Sequence, residues 1–214
     1  MPFNDVSKNL MLDALDESVQ IDFVGIHTLT DPGTGTTANG GEATGGSPAY
    51  ARLGAVWGAA ASGLKSNTGA LTFDVPAGTY GFYTLWTAVT GNTTEYRGHL
   101  PFGGTVKGYG TVDAADVTAN AITSSAHGLI NTDRVMVSNV FAESLPTGLT
   151  EGVIYFVVGA TTDTFQVSLT LGGAAVDITA IGELFFQKVV PEVFGAQGQI
   201  VAAIGALVLD LTAI

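Results

Sequence analysis

The chain has no cysteine, which excludes disulfides and thiolate metal sites and leaves the redox compartment unread. Charge is scarce: 12% of residues are charged, about half the usual share. Basic residues are scarcest, with seven Lys and Arg against 19 Asp and Glu and a net charge of −12. The seven (Lys8, Arg52, Lys65, Arg97, Lys107, Arg134 and Lys188) are dispersed and form no patch, and the acids form no run. Such a chain repels a polyanion, so nucleic acid is not an expected partner. No apolar run is long enough to span a bilayer; the greasiest, from Ile200 to Leu209, is short and ends at Asp210. The first residues lack a basic segment followed by an apolar run. The expectation is therefore a soluble chain made in a cytoplasm without a secretory signal.

What is present favours strands. Apolar residues make up 46% and glycine numbers 29, the latter about twice the usual frequency. The stretch from Tyr50 to Phe102 carries the clearest pattern. Leu71, Phe73 and Val75 alternate with Thr72 and Asp74, and Tyr83 and Leu85 oppose Thr84 and Trp86. Period two with aromatic and β-branched residues is the strand signal, and Ser62-Gly63, Pro76-Ala77-Gly78 and Gly91-Asn92 mark turns between strands.

Before this stretch, residues 6–19 carry a helical period. Val6, Leu10 and Ala14, with Met11, Leu15 and Val19, form the apolar stripe; Asp13, Asp16 and Glu17 take the other side, and Asn4 or Asp5 caps the start. The expectation is that the apolar stripe docks on a sheet. Ile21 to Leu29 reads as a central strand, apolar on both faces, with His27 as a structural histidine inside it. Thr30 to Pro48 is a long Gly/Thr/Asn loop opened by Asp31-Pro32-Gly33. Loops of this length are functional or mobile, and here the simplest reading is that a neighbouring subunit packs on it. Its Gly-Thr-Gly lacks the strand–helix frame of a dinucleotide site and the Lys of a phosphate loop.

The texture changes at Gly103-Gly104. From about Thr111 to Val190, short strands alternate with Gly turns at about ten-residue spacing, which describes a small all-β module. The strands are read at Asp116 to Thr123, Asp133 to Val137, Val153 to Val158, Thr162 to Leu169, Val176 to Thr179 and Glu183 to Gln187. After Pro191 the first texture returns, and Gln199 to Leu211 reads as two strands around Gly205 that need burial in the sheet of residues 20–102. The fold expected is mainly β: an antiparallel β-sandwich or jelly-roll-like host domain with one N-terminal helix, interrupted by a small all-β insert. The boundaries are 1–108 for the first part of the host, 109–191 for the insert and 192–214 for the host's last strands.

Two parts of the sequence carry a resemblance. The host, with His27-Thr28, Asp31-Pro32-Gly33, the Gly-Gly-Ser-Pro-Ala-Tyr-Ala-Arg run ending at Arg52 and Leu71-Thr-Phe-Asp-Val-Pro-Ala-Gly, resembles small tail-fibre-like or minor virion proteins of tailed phages, notably those of actinobacteria. The insert, with Ala-His-Gly-Leu, Asp-x-Val, Leu-Pro-x-Gly-Leu, Tyr-x-Val and Asp-Thr-Phe-Gln between Ala126 and Gln166, resembles a β-module of phage structural proteins. The resemblance implies a virion component whose partners are other tail or capsid subunits, with a homo-oligomer in the particle. It names no catalytic residue.

No constellation of residues announces chemistry. A glycosidase needs two facing carboxylates, yet Asp74, Asp133, Asp163 and Asp177 sit at alternating or turn positions. His27, His99 and His127 share no metal-ligand spacing, Asp113-Ala-Ala-Asp116 lacks the ligand density of a calcium loop, and there is no Gly-x-Ser-x-Gly elbow. The expectation is a non-enzymatic protein of the virion, with no catalytic, cofactor or metal residue. A minor tail or fibre-like role is preferred, and a decoration or minor capsid protein on the head shell is the alternative. A further alternative is a module binding host-surface glycan, with Tyr80, Tyr83, Trp86 or Tyr155 stacking on sugar rings; core packing is the competing use of each ring.

Overall fold

The computed structural model describes residues 4–17, 21–30, 32, 40–91, 94–104, 106–140 and 144–210. Most of the long Gly-rich loop, the Val19 end of the expected helix and everything after Asp210 lie outside them. The chain is mainly β, and every strand ladder among the described residues is antiparallel. Its first elements are α1 (Asp5–Glu17), β1 (Phe23–Thr28), β2 (Leu53–Gly54), β3 (Leu64–Ser66), β4 (Leu71–Val75), β5 (Gly78–Trp86) and β6 (Tyr96–Pro101). Next come β7 (Lys107–Val112), α2 (Ala114–Ala119), β8 (Ile122–Thr123), β9 (Arg134–Ser138), β10 (Ile154–Val158), β11 (Thr164–Ser168) and β12 (Gly182–Val189). The chain closes with β13 (Glu192–Phe194), β14 (Gly198–Ala202) and β15 (Val208–Asp210). It divides into two compact units, one of Met1–Thr28, Pro32–Leu100 and Val193–Ile214, the other of Leu29–Asp31 and Pro101–Glu192.

In the first unit β1 lies between β5 and β2, and β13 and β6 take the other edge of β5. Residues 41–43 extend the β2 side of β1 through Thr28 N–H to Gly41 O and Ala43 N–H to Ile26 O. Enclosed on both faces, β1 buries Val24, Gly25, Ile26 and His27, as its two apolar faces predict. β4 pairs with β14, and β3 with β15. The alternation of β4 is realised: Leu71, Phe73 and Val75 are buried with Ile200 and Ala202 of β14, and Phe73 meets the Tyr83 ring of β5. The outer face of the same ribbon carries Thr72, Val201 and the Gln199–Asp74 hydrogen bond of 2.9 Å. The last strands therefore bury one face only; Val201 and Ile204 stand in solvent, although the apolar run as a whole is expected to need burial.

α1 forms where the period predicts, with Asn4 Oδ1 accepting the Ser7 N–H, but it turns the opposite face inward. Val6, Leu10 and Met11 are exposed, whereas Leu12 and Lys8 are buried. The reason is the irregular backbone around β3, whose N–H groups need acceptors. Asn9 Oδ1 accepts from Gly63 N–H at 2.8 Å, and Asp13 Oδ1 accepts from Ala60 N–H at 2.9 Å and from Lys65 Nζ at 2.8 Å. Polar side chains dock this helix, and an apolar stripe is left facing out.

The second unit is a closed barrel in the order β10-β11-β8-β7-β12-β9. Inward residues alternate along each strand; Val135, Val137, Tyr155, Val157, Phe165 and Phe186 are among those filling it. Two readings are corrected here. Residues 116–121 are not strand: Ala114–Ala119 is helical because Asp113 and Asp116 form a capping box, Asp113 Oδ1 accepting from Ala115 and Asp116 N–H, and Asn120 ends the helix at φ 54°. Val176 to Thr179 is extended but belongs to no ladder, since its N–H groups bond to Val167 O, Asn120 Oδ1 and Thr147 O.

The motifs of the insert close this barrel. Asp163 Oδ1 accepts from Ala126 N–H at 2.9 Å. His127 Nδ1 accepts from Leu129 N–H, which leaves Nε2 to donate to Thr164 O at 3.2 Å. Asp133 accepts from Ile130 N–H and pairs with Lys188 at 2.8 Å. Tyr155 is buried with its hydroxyl accepting from Thr150 N–H. Gly148, at φ 108°, lies where a Cβ would overlap the Asp177 carbonyl oxygen.

Gly148→Ala is expected to lower unfolding stability in urea by at least ~2 kcal/mol, whereas Gly172→Ala, at a positive φ in open space, costs about 1 kcal/mol. The Asp13 carboxyl is held below the usual carboxylate range, first by the Lys65 hydrogen bond and then by Ala60 N–H. A depressed folded-state value adds stability above the unfolded pKa of about 3.9, and that stability is lost as pH falls through the folded value. Thermal melts taken from about pH 7 to about pH 2 should therefore decline less over the acid end for Asp13→Asn than for the natural chain.

Candidate functional site

The strongest concentration of buried polarity lies beside β1 and β5. Arg52 is 6% exposed and cannot deprotonate, so its donors must be met within the fold. Nε and Nη2 bind the two Glu42 oxygens at 2.7 Å each, Nη1 donates to Ala88 O at 3.2 Å, and Nη2 reaches Gly91 O at 3.0 Å. The guanidinium lies 3.4 Å from the centre of the Trp86 ring, and the indole N–H donates to Thr84 Oγ1. Tyr50 donates to Glu42 Oε1 at 3.0 Å and accepts from Ile26 N–H at 2.8 Å. Burial, with the Glu42 charge beside it, pushes the Tyr50 hydroxyl far above its ordinary pKa, so it stays protonated. Gly25 passes under this group because a Cβ there would come within 2.8–3.0 Å of Thr84 Oγ1, Tyr50 Oη and Glu42 Oε1.

A hollow of about 360 Å³ lies over the cluster, lined by Glu42, Thr44, Tyr50, Arg52, Val89 and Gly91 among others. Its charged floor is already saturated by the bidentate pair and the two carbonyls. The arrangement is a structural clasp: it ties residue 42 and the 87–91 turn to β5.

The histidines lie apart. His27 is buried in β1, His99 bonds Tyr96 through Nδ1 at 2.7 Å in β6, and His127 belongs to the other unit. Among the described residues no group of three or more His, Asp or Glu could hold a metal ion. The acids considered for sugar cleavage are committed locally or exposed: Asp74 to Gln199, Asp133 to Lys188, Asp163 to Ala126 N–H, with Asp177 at the surface. Asp113 and Asp116 are spent on the α2 cap.

Of the four aromatic residues named for stacking, Tyr80, Trp86 and Tyr155 are buried at 2%, 0% and 2% exposure, and Tyr83 packs on Phe73. Burial withdraws Tyr80, Trp86 and Tyr155 from stacking on sugar rings, while Tyr83 is half-buried. The aromatic rings that do reach the surface are elsewhere. On the outer barrel wall, Tyr109 of β7 is 41% exposed and pairs in register with the half-buried Phe185 of β12, the rings meeting edge to face at 6.0 Å. The neighbouring Glu183 carboxylate, and then partial burial, push the Tyr109 hydroxyl above its ordinary pKa. Glu183 also lines an open hollow of about 540 Å³ with Ser144, Leu145, Thr147 and Ile181. Phe156, further round the wall, is covered by Arg134 at 4.8 Å.

The sequence signal for this wall was Gly108-Tyr109-Gly110. A Cβ at Gly108 would come within 2.8 Å of the Phe186 ring, and one at Gly110 within 2.6 Å of Ile122. The glycines face in, so the tyrosine between them faces out. Small inward residues hide the alternation from an apolar period, and β7 was missed for that reason.

No family model, curated protein or solved structure matches this chain.

Arg52→Ala is expected to destabilise the first unit by about 3–5 kcal/mol, since it strands the Glu42 carboxylate in a buried place. Arg52→Met with Glu42→Leu should recover part of that loss, and paired urea titrations of the single and double variants measure it.

Proposed function

We propose that this chain is a non-enzymatic structural component of a tailed-bacteriophage particle, most simply a minor tail or fibre-like protein, with the barrel carried as an appended module. The resemblance of the host and insert motifs supports the reading. The observation that carries it is the state of the first unit's strand edges. β14, Gly-Gln-Ile-Val-Ala, pairs only with β4 among the described residues and carries neither charge nor proline. Natural proteins blunt open edges with lysine, proline, bulges or a cover; an edge without them suits pairing to a neighbouring subunit. Apolar side chains of the same unit stand in solvent as well: Val6, Leu10, Val56, Val193, Val201 and Ile204 are 55% to 73% exposed. With little charge to hold subunits apart, such a surface favours packing within an assembly.

The motifs that mark the insert support the same reading from another side. Each one caps a turn, fills the barrel or fits a tight backbone contact, which is what a robust module appended to a particle requires.

Antibody labelling of purified particles of the phage encoding this chain tests the proposal. Label on the tail is expected; label on the head shell favours the decoration role, and absence from particles overturns both. Val201→Lys places a charge on the exposed face of β14 while Ile200 and Ala202 keep the buried face. The variant should melt as the natural chain does and be incorporated about tenfold less, read by quantitative immunoblot of purified particles.

A further inference from the structure

The outer barrel wall between β7 and β12 combines features that a sugar ring requires. A hexose presents an apolar face of C–H groups and a rim of hydroxyls that both donate and accept. Its apolar face seeks a flat aromatic surface, and its rim seeks carboxylates and hydroxyls placed beside that surface. Here the ring is Tyr109, packed against the Phe185 edge, with Glu183 two positions along β12 on the same face of the wall. Glu183 also lines the hollow, together with Ser144, Thr147 and the exposed Ile181. The hollow's volume of about 540 Å³ falls within the ~300–1,000 Å³ of small-molecule sites.

We propose that this wall binds a neutral hexose of a glycan, with Tyr109 stacking on the sugar face and Glu183, Ser144 and Thr147 taking its hydroxyls. Charge selects the neutral class. The chain's net charge is −12, and among the described residues lining the hollow Glu183 is the charged one, so an acidic sugar is repelled from both. Size argues against a protein in the same place. A stable protein interface buries about 800 Å² on each partner, whereas the aromatic surface here is one exposed ring and its half-buried neighbour, flanked by Lys107, Thr111 and Gln187 on the same two strands. Such a site needs no particle to act, so the isolated chain serves to test it and its failure leaves the structural role standing.

The test is retention of the purified chain on an array of neutral and acidic glycans, followed by titration with methyl hexosides monitored by backbone NMR shifts. At least one neutral glycan should be retained, with shifts centred on Tyr109, Glu183 and residues 144–147. Tyr109→Ala and Glu183→Gln should each weaken retention by about tenfold or more, while both variants still melt cooperatively as folded proteins. Ile181→Arg, made at a position 67% exposed, fills the hollow without altering the platform and should also abolish retention. Absence of any neutral glycan on the array, retention of acidic glycans alone, or undiminished retention by Tyr109→Ala or Ile181→Arg would overturn the proposal.

Discussion

The first unit depends on a buried positive charge. Arg52 carries five N–H donors in a rigid plane, and the fold meets them with a bidentate carboxylate, two carbonyl oxygens and the face of an indole. Each partner comes from a different stretch: Glu42 from the return of the long loop, Ala88 and Gly91 from the turn after β5, Trp86 from β5 itself. A buried ion pair of this kind adds little net stability against an apolar replacement. What it fixes is placement, because moving any of these stretches away leaves the buried guanidinium short of a partner. Tyr50 extends the constraint to β1 through the Ile26 N–H, and Gly25 supplies the space.

The barrel solves a different problem with different means. Its wall is made of short strands, and short strands pair weakly unless their ends are fixed. The recurrent residues of the module fix those ends. Asp163 and His127 join the turn before β9 to the start of β11, Asp133 joins the turn before β9 to β12 through Lys188, and the Tyr155 hydroxyl caps the loop before β10. These are the residue types that invite a catalytic reading, and in this chain they are used for closure.

Much of the architecture was legible in the sequence, for physical reasons that also explain what was not. β4 could be read because large apolar residues face in and polar ones face out, so burial writes a period of two, while β1, β10 and β12 could be read as short apolar runs rich in aromatic and β-branched residues. β7 could not, since its inward positions are glycines shaped by Phe186 and Ile122. The first helix showed its period but not its orientation: amphipathic reading assumes that burial follows apolarity, and here Asn9 and Asp13 go inward to serve backbone N–H groups that no strand satisfies. The short helix after β7 was misread as strand because Val, Thr and Ile outweighed the Asp-x-x-Asp cap and the closing Asn. Of the candidate sugar surface, the ring could have been found from Gly-Tyr-Gly alone. Its neighbours on the wall are set by the register of β7 against β12, which is a long-range property.

The pairing of β7 with β12 also bears on how the chain is assembled. β3 and β4 wait for partners made far later, as the Asn67 to Leu207 hydrogen bond across 140 positions records. Closing so wide a gap would ordinarily cost the host chain entropy. The barrel removes most of that cost, because Lys107 lies opposite Gln187 and the Val190 N–H bonds the Phe102 carbonyl at 2.8 Å. Once the module has folded, its entrance and exit stand side by side, and the host closes its sheets across a tight link. β3 and β4 can complete their ladders only once the final strands, β15 and β14, have been made.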